Sequence, residues 1–297
     1  MNIRNIDRIL LFCEDGAGRV LTLEELRTKY GLEPDGTNFY YGLNSANLAT
    51  YTQTGKAFNA SHRAFFDALI ASTKASASDG KTLVLGLEPL EAPSPYAFIE
   101  SHLNLVRQLA TDLAGAQNTV RESGKRLTVA IRFGSEMNDR AQVQGGNPTG
   151  FRSAFAAVRQ VFAEVAPSIL FSFSPGIRAD LPEADIGAYW PGDALVDIIG
   201  GTWYVGAPAQ RAASFANLRA YLLHRTGAGK PFAFSEVGGH GPDDAGNDAV
   251  LEDMLHELES MQIQNVSFKY ATLFLQGVWG TDATLAFLRP PDGPNLA

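Results

Sequence analysis

The chain has 297 residues, with 24 Lys and Arg against 32 Asp and Glu, and a formal net charge of −8. That balance argues against a nucleic-acid partner, whose phosphates need a basic face. With 45% hydrophobic and 19% charged residues, the chain can bury a core and is too sparsely charged to stay disordered. No apolar run approaches the ~18 residues that span a bilayer, so no membrane partner is expected. The N-terminal run Ile9–Cys13 is also shorter than a secretory h-region of ~7–15 residues. The protein is therefore either intracellular or exported after a signal has been removed. Its single cysteine, Cys13, excludes intrachain disulfides and thiolate clusters and reads as a small buried hydrophobe in a strand.

No Pro/Gly/Ser-rich linker divides the sequence, which reads as one domain over 1–297. In chain order, apolar runs at Ile9–Cys13, Asn38–Leu43, Thr82–Leu87, Leu127–Phe133, Ile169–Ser174, Val196–Tyr204, Pro231–Ser235 and Val266–Phe274 read as strands. The last six are near-continuous, as in a parallel sheet covered on both faces, and their starts lie 27 to 45 residues apart, one βα unit each. The first two runs complete the eight of a (β/α)8 TIM barrel, an α/β fold. An open doubly wound sheet is the competing architecture.

Helical stripes fill the intervals: Ile99, His102, Leu103, Val106, Leu109 and Leu113; Phe155, Val158, Phe162 and Val165; and Leu251, Met254, Leu255 and Leu258. Ser94 before Pro95 and Asn147 before Pro148 read as N-caps, and Gly124 as a C′ residue.

In a parallel barrel the chemistry lies at the C-terminal strand ends. The fourth strand runs into Gly134-Ser135-Glu136-Met137-Asn138 and the seventh into Glu236-Val237-Gly238. One glutamate after a strand is commonly a solvated loop residue. Two at one barrel end form the pair that glycoside cleavage needs, one to protonate the leaving oxygen and one to attack or to activate water.

These residues resemble glycoside hydrolase family 26. Ile131-Arg132-Phe133-Gly134-Ser135-Glu136-Met137-Asn138 is similar to the family's Arg-x-x-His-Glu-Met-Asn motif. Pro191-Gly192-Asp193 with Val196-Asp197-Ile198-Ile199-Gly200 is similar to its Pro-Gly-Asp-x-x-Val-Asp-x-x-Gly segment. Phe171–Pro175 and Lys230–Gly238 match its fifth and seventh strands.

The resemblance implies a retaining β-glycosidase acting on a polysaccharide or oligosaccharide without cofactor or metal. Glu136 would be the acid/base, Glu236 the nucleophile and Tyr204 the phenol bonded to the nucleophile. Arg132 would lie under the carboxylates, as a structural ion pair or in a direct role. Ser135 and Asn138 would line the substrate cleft. Glu88, at the end of Thr82–Leu87, would bond sugar hydroxyls or stand as a solvated loop residue, and Trp279 would be a stacking platform or an ordinary core aromatic; Trp190 and Trp203 read as packing residues. Two departures bear on the substrate. Ser135 stands where the family has His, and the loop from Asp139 to Gly150 has no aromatic. Weak activity on unsubstituted β-mannan is the expectation, and Arg140 in that loop would suit a decorated or acidic polymer.

Other chemistries have little support. Gly16-Ala17-Gly18 lacks the third glycine of a dinucleotide fingerprint, the five histidines show no zinc-ligand spacing, and no G-x-S-x-G elbow is present. The remaining alternative is a catalytically inactive carbohydrate-binding protein on the same scaffold.

Overall fold

A computed structural model describes residues 9–14, 21–30, 34–139, 145–179, 186–205, 208–225, 229–239 and 268–276. Its strands are β1 (Ile9–Glu14), β2 (Gly36–Leu43), β3 (Gly80–Pro89), β4 (Arg126–Phe133), β5 (Leu170–Phe173), β6 (Gly176–Ile177), β7 (Ile198–Val205), β8 (Phe232–Gly239) and β9 (Phe268–Gln276). The helices are α1 (Leu23–Tyr30), α2 (Ser45–Thr54), α3 (Ala60–Ala75), α4 (Pro95–Ser101), α5 (Leu103–Arg121), α6 (Pro148–Val165) and α7 (Pro208–Arg225).

Among the described residues every strand pairing is parallel. The pairings of β1 with β9 and of β5 with β7 close the sheet on itself. The short β6 extends β5 past Pro175 and also pairs with β7, so the two together form one stave. Eight staves result, and the fold is a (β/α)8 barrel. Closure excludes the open doubly wound sheet, and both early strands, Ile9–Cys13 and Asn38–Leu43, take their places in it.

The continuous apolar runs arise because both strand faces are buried. On β3, Leu83, Leu85 and Leu87 face the helices, while Thr82, Val84, Gly86 and Glu88 face the barrel axis; β4 alternates likewise, with Ile131 and Phe133 outside and Ala130 and Arg132 inside. The outer layer is the large core. In it α6 lays Phe151, Phe155, Val158 and Phe162 against Phe133 and Phe171, with ring centroids 5.2–5.8 Å apart. Inside the barrel, Leu10, Val84, Ala130, Ile198 and Ala233 form a smaller apolar cluster, and polar side chains take over towards the C-terminal strand ends.

Local signals fared unevenly. Asn147 caps α6, its side chain accepting from the Gly150 N–H. Ser94 precedes Pro95 as expected but makes no side-chain cap bond. The stripe from Ile99 to Leu113 is two helices, α4 and α5, because His102 leaves helical geometry at φ −128°, ψ 39° and caps the first. Gly124 is left-handed at φ +76°, but it stands two residues beyond the cap at Glu122, not one. The Leu251–Leu258 stripe and Gly16-Ala17-Gly18 lie outside the described residues, as does the side chain of Cys13.

One glycine is demanded by packing inside the barrel. Gly86 lies beside Tyr40 and Arg132 in the β2–β3–β4 register. A Cβ there would come within 2.4 and 2.6 Å of the Tyr40 ring. Gly86→Ala is expected to destabilise the fold by about 1–3 kcal/mol, the usual cost of overpacking. Urea denaturation would measure that loss, and the substitution should also push Tyr40 off its partners.

Candidate active site

Arg132 organises the interior end of the barrel. It is fully buried, and its guanidinium spans three staves. Nε donates to Ser174 Oγ (3.2 Å), Nη1 to Tyr40 Oη (2.6 Å), and Nη2 to Thr202 Oγ1. Nη1 also lies 3.0 Å from Glu236 Oε2, a buried ion pair. Burial alone would lower the pKa of Arg132. Glu236 first, then the oxygens of Tyr40, Glu88 and Glu136, outweigh burial and leave the guanidinium more firmly protonated than usual.

Glu236 reaches this cation through a bulge. Gly201 pairs with Phe234 and Thr202 with Glu236, skipping Ser235. The same extra residue shows against β9, where Phe234 pairs with Ala271 and Val237 with Leu273. Phe234 and Val237 therefore both face the outer core, while two successive residues, Ser235 and Glu236, occupy the inner side between them. Bulges redirect side chains in this way at barrel rims. The sequence reading placed Glu236 after the seventh strand. The strand instead continues to Gly239, and Glu236 is its fifth residue.

The second acceptor oxygen of Glu236 takes a hydrogen bond from Tyr40 Oη on β2. Burial pushes the Tyr40 phenol far above its ordinary value, with Arg132 opposing and Glu236 adding to the rise. It is thus a permanent donor. Sequence reasoning missed Tyr40; the resemblance assigned such a phenol to Tyr204, whose backbone lies in β7 and whose side chain lies outside the described residues. A signal was available in β2, where Phe39, Tyr41 and Leu43 take the outer face and put Asn38 and Tyr40 on the inner one.

Glu136 follows β4 at the same barrel end, at φ +53°. Its N–H donates to Ser174 O (3.1 Å), and its carbonyl accepts from the Asp139 N–H (2.8 Å). Burial raises its pKa; the charges of Arg132 and Arg178 pull it down, those of Glu236 and Asp139 push it up, and the balance is upward. Asn138 is buried and tied to Gly176 at both amide atoms, donating to its carbonyl (2.9 Å) and accepting from its N–H (2.8 Å). Asp139 is paired with Arg178 at 2.9 Å.

Glu88 is the penultimate residue of β3 and is 7% exposed, so it is no solvated loop residue. Its carboxylate accepts from the Ser135 N–H (3.1 and 3.3 Å) and from Ser135 Oγ (2.6 Å). Trp203 is core: its Nε1 donates to Ser214 Oγ (2.8 Å) and its ring stacks on Phe234. Trp190 packs edge-on against Phe173 at 5.0 Å. Glu136, Glu236, Arg132, Ser135, Asn138 and Glu88 are thus gathered at one end of the barrel; Trp279 and Arg140 lie outside the described residues.

Burial raises the Glu88 carboxyl from the ordinary 4.5 to about 6, more than the Arg132 charge and the two Ser135 bonds can offset. A raised folded-state pKa means that the native state binds the proton more tightly than the unfolded chain. This group therefore weakens the fold as pH rises from about 4.5 through 6, by about 2 kcal/mol in total. Glu88→Gln removes the titration. Its stability relative to wild type should rise by about that amount between pH 4.5 and 7, measured by urea denaturation at both values.

No protein-family model and no curated protein matches the chain. Solved structures do. An endo-β-1,4-mannanase of glycoside hydrolase family 26 from Cellulomonas fimi superposes with a TM-score of 0.70 at 16% identity, over 97% of this chain and 71% of that one. A family 26 β-mannanase from Bacteroides ovatus gives 0.62 at 14%, over 94% and 83%. The protein GH26C from Muricauda sp. gives 0.65 at 14%, over 96% and 85%. At these identities the likeness establishes the (β/α)8 fold, and it falls on the family whose motifs the sequence resembles.

Proposed function

We propose that the protein is a retaining glycoside hydrolase that cleaves β-glycosidic bonds of a polysaccharide or oligosaccharide, with Glu236 as nucleophile and Glu136 as general acid/base. The observation that carries this reading is the unlike setting of two carboxyl groups at one end of the barrel. Glu236 is paired with a buried guanidinium and accepts from a phenol, an arrangement suited to an acceptor-only carboxylate. Glu136 is pushed towards its protonated form, mainly by burial. Carboxyls whose environments differ in this way divide the roles of base and acid. The fold shared with family 26 mannanases supports the same assignment.

In the first step the Glu236 carboxylate attacks the anomeric carbon while the Glu136 proton passes to the departing oxygen. In the second, Glu136, now ionised, takes a proton from water, which displaces Glu236 and restores both groups. Arg132 and Tyr40 hold the attacking carboxylate in place. The phenol keeps its own proton throughout, since burial holds its pKa so high.

Sugar release from a panel of polysaccharides tests the reading, with Glu236→Gln as control. Wild type should release sugar, and Glu236→Gln should release none from any substrate. With an activated aryl glycoside, Glu136→Ala should give a burst of phenol and then a slow phase that azide accelerates. The first-formed product, read by NMR, should keep the substrate's anomeric configuration. Inverted product, or azide rescue confined to the Glu236 variant, would overturn the assignment.

Unsubstituted β-mannan should be a poor substrate in the same panel. Ser135 is shorter than histidine and is turned onto Glu88, and the segment after Asp139 brings no aromatic surface before Phe151, where sugars gain much of their binding by stacking. Efficient mannan turnover would refute this point alone.

A further inference from the structure

Glu136 stands at φ +53°, a left-handed conformation that costs an L residue energy and persists only when its surroundings enforce it. Those surroundings lie on two sides. Towards β5 and β6, the Glu136 N–H is fixed to Ser174 O, and Asn138 exchanges two hydrogen bonds with Gly176. Towards β3, the fastening is the Glu88 carboxylate, which takes both the N–H and the Oγ–H of Ser135, the residue just before Glu136. Two donors of one residue on one acid group fix the peptide plane as well as the side chain. Hydrogen bonds to a charged acceptor are roughly twice as strong as neutral ones. The short side chain at 135 lets its hydroxyl and its own amide meet the same carboxylate.

We propose that Glu88 is a positioning residue: through Ser135 it sets the backbone in front of Glu136 and so aims that carboxyl at the leaving oxygen, instead of binding sugar itself. The proposal rests on the reading of Glu136 as acid/base. It also makes the serine at 135 and the carboxylate at 88 one device. The charged and titratable groups that act on this site are Arg132 on β4, Glu236 on β8, Tyr40 on β2, Tyr96 on α4, and the Asp139–Arg178 pair that follows β4 and β6.

Leaving-group dependence tests the proposal. Glu88→Ala should slow cleavage of substrates with poor leaving groups about 30-fold or more, while the burst rate with an activated aryl glycoside, which needs no proton, changes less than about threefold. Glu88→Gln keeps the acceptor oxygen and should recover most of the loss; Ser135→Ala, which keeps only the amide bond, should fall between. A sugar-binding role would raise KM for both substrate types, and a merely structural role would lower all rates together with thermal stability. Either pattern overturns the proposal.

A readout without substrate separates the clamp from the glycosidase reading. In protein labelled with 13C at the glutamate carboxyls, the Glu136 signal is identified by its loss in Glu136→Gln. Its titration should move to lower pH in Glu88→Ala, beyond any change in Glu88→Gln, which removes the same charge but keeps the clamp. If the wild-type protein cleaves no glycoside, the function reading fails and this titration still decides: a lower midpoint upholds the hold of Glu88 on the Glu136 segment, and an unchanged one overturns it.

Discussion

A fully buried guanidinium imposes the conditions that the rest of the barrel end obeys. Moving a cation out of water costs several kcal/mol unless an anion and hydrogen-bond acceptors meet it with good geometry. Arg132 sits on the inner face of β4, where alternation puts it, and its acceptors must therefore come from across the barrel. Ser174, Thr202, Tyr40 and Glu236 supply them from four other places in the chain. The bulge in β8 belongs to the same requirement. A regular strand would put Ser235 and Glu236 on opposite faces, leaving the carboxylate in the helix layer and the cation unpaired. Gly86 belongs to it too, because the Tyr40 ring occupies the space that a side chain at 86 would fill.

The same cation separates the behaviour of the carboxyl groups around it. Glu236 touches it directly, whereas Glu88 and Glu136 feel it through space while burial drives both towards the neutral form. A single positive charge among three carboxyls in a region of low dielectric does most for the one it touches. Which carboxyl that is depends on contact, and contact is settled by strand register. In this barrel the unlike settings of Glu136 and Glu236 follow from which residue of β8 is skipped.

Much of this could be read before any coordinates. Both-sided burial makes the strands near-continuous apolar runs, and that pattern located all eight staves, including Ile9–Cys13 and Asn38–Leu43. The two glutamates were found because parallel barrels put strand ends together at one end. What escaped depends on relations that period and spacing do not carry. The break at His102 lies inside an unbroken apolar stripe. The bulge that turns Glu236 inward is a mismatch between neighbouring strands, and no single strand displays it. Tyr40 looked like one more aromatic in a β-rich run, because only the closed barrel brings β2 opposite β8. Glu88 and Ser135 were each noticed, but their bond spans 47 residues and joins a strand end to a loop.

Stability and chemistry are divided along the barrel axis, and the division explains why strain is tolerable at Glu136. Beneath Arg132 the interior is closed by Leu10, Val84, Ala130, Ile198 and Ala233, side chains whose burial is favourable in any strand order that keeps alternation. Above it, polar groups must find specific partners, and those partners are spread over several staves. A left-handed glutamate costs of order 1–3 kcal/mol, more than a free loop could sustain. Here the segment is bonded to β3 through Ser135, to Ser174 through its own amide and to β6 through Asn138. These attachments stand on staves that the outer core already fixes, so the strain is spread over a frame that cannot relax around one residue. A freely rotating Glu136 would escape the conformational cost and lose, with it, the fixed direction that the proposed role as acid needs.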